Sequence, residues 1–403
     1  MNIALVSSAY PPDLDGIGDH TYWLAHSLAT RSNVEVFTRR VGQFESDDKV
    51  KITPFFNPAE PSSFEQLHDA IGSWLSPAAA AQWLLLQYNP FGFGKRGWCP
   101  WVPQTLRRIR SQHPHLRVAT MFHETMVPAW PWKFAVMHLW QSRLFRQVCR
   151  LSDLAFVSTT RWQPQVSRAH PRLPCHHLPV GSNIPLDETP HAVARQKLDL
   201  PEKSLVLGIF GSAHISRQLD WIAAAAQEVG KTGRQVIVAH VGPDAAKIVQ
   251  AMPNLQVRSF GELPANQVGM HLRAMDVLLA PFSDGVSTRR GSVMAGLQHG
   301  VPVITTAKPW SDRILINADH EGLLALACED GASFAAMTAK LLPGLVSAKD
   351  ISRRASQFYH GQFAWDTIAE KLTGHLTACC HPNVKSNDEN AHSDAFGLVP
   401  WRR

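Results

Sequence analysis

The chain has 403 residues, 45% of them hydrophobic and 18% charged, with 39 Lys and Arg against 33 Asp and Glu and a formal net charge of +6. The length exceeds the roughly 250–300 residues at which one core stops growing, so two domains are expected. The apolar share excludes a largely disordered chain. The mild basic excess is compatible with anionic substrates or an anionic membrane surface and is no nucleic-acid footprint.

No stretch reaches the 18 or so uninterrupted apolar residues that a membrane span needs. The N-terminus, Asn2-Ile3-Ala4-Leu5-Val6, reads as a strand and not as a cleavable signal. The six cysteines (99, 149, 175, 328, 379 and 380) show no Cys-x-x-Cys spacing, so free cytosolic thiols are expected instead of disulfides or zinc. A soluble, cytoplasmic, two-domain protein is the expectation.

Along the first half, nearly continuous apolar runs fall at Ile3–Ser7, Val34–Thr38, Leu84–Asn89, Val118–Phe122 and Leu154–Ser158. The second half repeats the pattern at Leu205–Phe210, Val236–Val241, Val257–Phe260, Val277–Phe282 and Val301–Thr305. Runs without polar alternation suit strands buried on both faces of a parallel sheet. Helical patterns lie between them, at His20–Ala29, Leu219–Val229 and Arg289–His299, the last followed by Gly300 as a left-handed terminator. The fold class is therefore α/β, two Rossmann-like doubly wound domains. The first is placed at 1–185 and the second at 186–362, with Ser182–Pro190 as linker and the tail from 381 to 403 disordered.

In open α/β sheets, ligands bind beyond the carboxyl ends of the strands. The first strand runs into Tyr10–His20, where Gly16 and Gly18 at a helix start would let backbone amides approach an anion, although the third glycine of a dinucleotide fingerprint is missing. His123 and Glu124 end a central strand, and Tyr88–Trp98 forms a glycine-rich, aromatic and basic loop suited to binding. In the second half, Gly211-Ser212 leads to an isolated Arg217. Further on, Ser287 or Thr288 is placed to cap a helix whose first turn holds Arg289 and Arg290. Cations oppose the helix dipole there, an arrangement that makes sense with a phosphate between them.

Taken in order, these motifs resemble the family-4 group of retaining, nucleotide-sugar-dependent glycosyltransferases of GT-B fold, over about residues 1 to 375. The resemblance rests on Pro11-Pro12 with Gly16-Ile17-Gly18-Asp19-His20, on Phe122-His123-Glu124 and on Val180–Pro185. It continues through Phe260-Gly261-Glu262-Leu263, the segment from Asp276 to Thr306 with Gly300-Val301-Pro302-Val303, and Phe363-Ala364-Trp365-Asp366. It implies two domains facing a cleft and a C-terminal helix, about 363–378, that crosses back to the first domain. Gly261, Glu262 and Leu263 would line the donor's base, and His123 would contact its sugar or phosphate. The sequence departs from the family where two donor-segment glutamates are usual, at Ser287 and Ala295; Ser212 replaces a usual arginine, and Arg217 a lysine. Asp284 is a partial substitute for the missing acid.

Glycosyl transfer builds negative charge on a leaving diphosphate, which a site must meet with fixed positive potential. Arg217, Arg289, Arg290 and the Ser287–Thr288 amides would supply it, and no Asp-x-Asp motif of the kind metal-dependent transferases use is recognised. The expectation is a metal-independent retaining transferase with no cofactor beyond the nucleotide-diphosphate sugar co-substrate, and no nucleic-acid partner. The acceptor is open: glycan, lipid-linked or small molecule. On the segment Trp130–Arg150, Met137, Trp140, Leu144 and Val148 share one stripe, with Lys133, Arg143, Arg146 and Arg150 mostly off it. That stripe suits either peripheral contact with the inner face of a membrane or packing into the protein's own core. A sugar-nucleotide epimerase, a phosphorylase and a non-catalytic nucleotide-sugar-binding protein are the alternatives on the same architecture.

Overall fold

The computed structural model describes residues 1–13, 15–40, 49–57, 60–76, 81–318, 320–348 and 350–380. The tail expected to be disordered, 381–403, lies outside them. The first half forms a parallel sheet from β1 (Asn2–Val6), β2 (Asn33–Arg39), β3 (Lys51–Phe56), β4 (Gln82–Tyr88), β5 (Arg117–Phe122), β6 (Leu154–Val157) and β7 (Cys175–His177), in the order β3-β2-β1-β4-β5-β6-β7. The second half forms another from β8 (Leu205–Phe210), β9 (Val236–Val241), β10 (Val257–Ser259), β11 (Val277–Ala280), β12 (Val303–Thr306) and β13 (Leu323–Leu326), in the order β10-β9-β8-β11-β12-β13. Both are doubly wound orders, each followed outward from its first strand.

Every apolar run read as a strand is one. The strands absent from that reading, β3, β7 and β13, are all sheet edges. An edge strand buries one side less, so its sequence need not be a continuous apolar run: β3 carries Pro54 and alternates with exposed positions, and β7 is Cys175-His176-His177.

Helices cover both faces of each sheet and divide the apolar interior into two clusters per half. The helix Trp365–Cys380 belongs by packing to the first half, where Ile368, Ala369, Leu372 and Leu376 are fully buried beside Ile3, Leu5 and Leu24. The connection Ser182–Pro190 has neither helix nor strand. It is held to both halves: Trp365 Nε1 donates to Ser182 O at 2.6 Å, Ser182 N donates to Tyr359 Oη at 3.1 Å, and Asn183 Nδ2 donates to Asp19 Oδ2 at 2.9 Å.

The stripe on the segment 130–150 is settled as core. Leu144 and Val148 are buried in the helix Ala135–Leu151, and Trp140 packs against the same cluster. The residues left exposed are different ones: Trp130, Trp132, Val136 and Leu139 on this segment, with Phe91 and Trp98 from the neighbouring loop.

Candidate functional site

In each sheet the strand order reverses beside its first strand, between β1 and β4 and between β8 and β11. Loops leaving such a pair diverge to opposite faces and open a crevice at the carboxyl edge. The residues singled out in the sequence lie on loops at that edge.

In the second half, β8 ends in Gly211 with φ +103°, a backbone conformation that side chains disfavour. A Cβ on Gly242, after β9, would meet Gly211 O at 2.8 Å, and Gly242 N donates to Gly261 O at 2.7 Å. Glycines at three successive strand ends therefore keep the backbones of this rim close together. Glu262 is exposed there, while Leu263 packs onto the core below.

From Gly211 the chain folds back so that Arg217 pairs with Phe282 in an antiparallel bridge, and Ser283 N donates to Ser216 O at 2.8 Å. The loops after β8 and β11 are thus laced into one unit. Arg217 donates from Nε to Ser212 O at 3.1 Å and from Nη2 to Phe210 O at 2.7 Å. Its Nη1 is buried and has no partner among the described residues. Burial, and next the Arg290 charge, push Arg217 down to about 10, still a cation at neutral pH. Arg290 lies 4.1 Å above the Phe282 ring and is paired with Asp284, with Ser216 Oγ at 3.2 Å.

Two further arginines complete the cluster. Arg289 reaches across the cleft to the first half, donating to Glu124 Oε1 at 2.8 Å and to His123 O at 3.4 Å. Arg161, after β6, lies 4.1 Å over the Trp162 ring and 3.7 Å from Asp284 Oδ2. Burial lowers the pKa of both Arg161 and Arg290, and repulsion from Arg289 adds to it. Arg161 Nε and Arg290 Nε, like Arg217 Nη1, are buried donors without an acceptor among the described residues. Arg161 was legible only by treating the end of β6 as a ligand edge like the others.

The capping role expected for Ser287 or Thr288 is not what the structure has. The helix runs Gly291–Gln298, its N-cap is Arg290, and no side chain caps it. Thr288 instead serves the junction between halves: its Oγ1 lies 2.6 Å from Ser158 O and 3.0 Å from Asp312 Oδ2, and its N donates to Asp312 Oδ2 at 2.8 Å. Ser287 O accepts from Arg290 N at 3.0 Å. With its start moved to Gly291, the helix places Arg289 and Arg290 just before its first turn.

On the first-half side, the helix Gly16–Ala29 starts with its amides engaged. Asp15 accepts from Ile17 N at 2.8 Å and Gly18 N at 3.0 Å, so these two donors are satisfied by a carboxylate of the chain itself. The other acid of this Asp13-Leu14-Asp15 spacing pairs with Arg39 Nη2 at 2.5 Å. Gly18 is tightly packed: a Cβ would lie 3.2 Å from Tyr10 N, whereas one on Gly16 meets nothing.

His123 is buried, with Nε2 2.7 Å from Gln87 Oε1 and its ring edge-on to His20 at 4.6 Å. Burial holds His123 well below its ordinary 6.5 and His20 at about 3, so both are neutral at pH 7. A neutral His123 can orient a sugar hydroxyl; it is no standing proton donor. Both ring nitrogens of His20 are buried without partners among the described residues, and the Trp365 ring stands 5.1 Å away. His20 joins this group through helix geometry, since its place in the sequence marked a loop motif only.

Comparison with known proteins follows this geometry. Residues 204–343 match the family Glycosyl transferases group 1. No curated protein matches the chain in sequence. Among solved structures, sucrose-phosphate synthase from Thermosynechococcus elongatus is similar with a TM-score of 0.68 at 15% identity, over 94% of this chain and 98% of that one. WaaG, a glycosyltransferase involved in lipopolysaccharide biosynthesis, gives 0.63 at 16% identity over 93% and 99%. HepE from Anabaena, in complex with UDP-glucose, gives 0.66 at 14% identity over 94% and 100%. At these identities the likeness extends to the fold of nearly the whole chain, two Rossmann-like domains in the GT-B arrangement. The match over residues 204–343 and the likeness of nearly the whole chain to these structures give the chain the GT-B fold, with its second half similar to the group 1 glycosyl transferases.

Proposed function

We propose that the protein transfers a sugar from a nucleotide-diphosphate sugar to an acceptor hydroxyl, with retention of configuration and without a metal ion. The observation that carries this reading is the buried guanidinium of Arg217, with Nη1 unsatisfied, among Arg161, Arg289 and Arg290. Three of these four guanidinium groups, Arg161, Arg289 and Arg290, share the two carboxylates of Glu124 and Asp284 as ion-pair partners. A buried donor without an acceptor costs roughly 1–3 kcal/mol, a cost that a bound diphosphate would remove at several atoms together.

In the proposed reaction the acceptor oxygen bonds to the anomeric carbon on the face the diphosphate leaves. The anomeric C–O bond breaks, its electrons go to the diphosphate, and the acceptor proton passes to the departing phosphate. The products are a glycoside and a nucleoside diphosphate. Arg217 and Arg290 stabilise the leaving charge in a pocket already shielded from water, where fixed cations act most strongly. Arg289 sits on Glu124 across the cleft and moves onto the diphosphate when the donor binds. Gly261, Glu262 and Leu263 line the base, Gly211 and Ser212 let the diphosphate approach the backbone, and His123 orients the sugar. Retention is supported by the engagement of Glu124 and Asp284 with arginines, which keeps these two carboxylates from activating a hydroxyl on the opposite face.

UDP is the first donor to try, because HepE of the same fold was solved with UDP-glucose. A panel of nucleotide sugars without metal tests the proposal by melting temperature and by release of nucleoside diphosphate. Stabilisation by one donor, lost in Arg217→Ala, is expected; no response to any UDP, GDP, ADP, dTDP or CMP sugar would remove the reading.

A second element of the proposal is peripheral contact with an anionic membrane. Trp130 and Trp132 are 77% and 78% exposed, Val136 and Leu139 lie beside them, and Lys133 and Arg143 flank them. No helix among the described residues is long and apolar enough to cross a membrane. Exposed aromatics interleaved with cations suit an interfacial position. Sedimentation with phosphatidylglycerol vesicles, lost in Trp130→Ser/Trp132→Ser, is the expected result.

A further inference from the structure

A cavity of about 680 Å³ lies between the helices Ala135–Leu151 and Gln163–Ala169, closed on one side by Trp310 from the second half. Its volume is that of a small-molecule site. The charged side chains lining it are Arg146, Arg161 and Arg168, and no carboxylate lines it among the described residues. Arg146 has no ion pair among the described residues, and Arg168 spends only Nε, on Pro164 O at 3.0 Å. Arg161 shares Asp284 with Arg290. Three like charges around one cavity, with no carboxylate among them, favour an anion between them.

The rest of the lining is mixed and includes the rings of Phe145, Trp162 and Trp310. Trp162 is buried beneath Arg161, and Trp310 is 63% exposed at the rim although it caps a cavity. A tryptophan held open in this way provides a flat face for a ring. Arg161 also links the cavity to the diphosphate cluster, since it lines the cavity and its guanidinium stands 3.7 Å from the Asp284 carboxylate.

We propose that this cavity is the acceptor site and that its acceptor carries a phosphate. The phosphate lies between Arg146 and Arg168, the ring rests on Trp310, and the reacting hydroxyl points past Arg161 toward the donor. The assignment as acceptor site rests on the transfer reading above; the phosphate site stands on its own lining. The phosphate is that of a soluble sugar phosphate or of a lipid head group.

Tryptophan fluorescence of the full chain is titrated with glucose 6-phosphate, with glucose, and with phosphatidylcholine vesicles with and without equimolar phosphatidylglycerol. Arg146 and Arg168 are exposed enough for Gln to replace them without disturbing the core, and melting curves check this. Glucose 6-phosphate should bind at least about tenfold more tightly than glucose, and about tenfold more weakly to Arg146→Gln and Arg168→Gln, in line with loss of one charge-assisted contact. Arg217→Gln should leave that binding in place. Phosphatidylglycerol-vesicle binding that depends on Arg146 and Arg168, without binding of glucose 6-phosphate, assigns the phosphate to a lipid. Phosphate binding lost only in Arg217→Gln, vesicle binding lost only in Trp130→Ser/Trp132→Ser, or indifference to both cavity arginines overturns the proposal. A parallel titration with UDP-glucose judges the donor reading separately: failure there with Arg146-dependent phosphate binding refutes transfer and keeps the anion site.

Discussion

The fully buried carboxylate of Asp312 accepts Thr288 N at 2.8 Å through Oδ2 and Thr160 N at 2.7 Å through Oδ1. Thr159 Oγ1 and Thr160 Oγ1 also reach Oδ1, at 3.1 and 2.6 Å, while Thr288 O accepts from Val180 N at 3.0 Å. One side chain thereby joins the end of β6 to the donor loop after β11. It fixes the separation between Arg161 and Arg290 without contacting either.

Replacing Asp312 with Ala should lower stability by about 2–4 kcal/mol, because buried amides and hydroxyls of both halves lose an ionised acceptor. The urea midpoint reads this directly. Asp312→Asn keeps one acceptor oxygen and should recover part of the loss. A midpoint unchanged in Asp312→Ala would show that the junction does not depend on this carboxylate.

Arg217→Ala should weaken nucleotide-sugar binding by about 10- to 150-fold, the equivalent of roughly 1.5–3 kcal/mol for a hydrogen bond to a charged group. Arg289→Ala should cost less, since its guanidinium must first leave Glu124. Calorimetric titration with UDP-glucose ranks the two. Equal losses would place Arg289 on the diphosphate before the donor arrives.

Stability should fall on acidification from about pH 7 to about pH 5. His20 and His123 are held neutral by burial, while in the unfolded chain both take up protons below about pH 6.5. The unfolded state then binds more protons than the folded state, at a cost of up to roughly 1 kcal/mol per group for each pH unit. His176, lowered to about 4, acts in the same direction. A melting temperature that is flat or rising over this range would contradict the burial of these rings.

Gly18→Ala and Gly16→Ala form a matched pair. A Cβ at Gly18 presses on Ala9 C and Tyr10 N at 3.2–3.3 Å, both backbone atoms that cannot yield without moving β1's loop. That variant should lose roughly 1–3 kcal/mol and donor affinity with it. A Cβ at Gly16 meets nothing, so Gly16→Ala should be neutral or slightly stabilising. Thermal melts of both variants separate the two roles, and equal losses would contradict this assignment.

The sequence by itself determined the interior of both sheets. Strands buried on both faces must be continuously apolar, and all such runs from Ile3 to Thr305 appear as strands. It marked Arg217, Arg289 and Arg290 as unusual because each breaks a local rule: an isolated cation at a strand end, and cations at a helix N-terminus; the positive φ of Gly211 came only with the structure. The edge strands β3 and β7 escaped it, since they bury less and need no such pattern; β13, Leu323-Leu324-Ala325-Leu326, is apolar and mostly buried although it is an edge. Tertiary structure alone decided what those polar residues face. Thr288 looked like a cap and is a junction residue, because Asp312, 24 positions away, competes for its amide and hydroxyl. The stripe Leu144–Val148 was equally fit for lipid or core, and packing against β5 and β6 chose the core. Arg161, Asp312 and His20 acquire their roles from neighbours far away in the chain. Local sequence carries the preference for helix or strand, but the charge and burial that set a site's chemistry are summed over the whole fold.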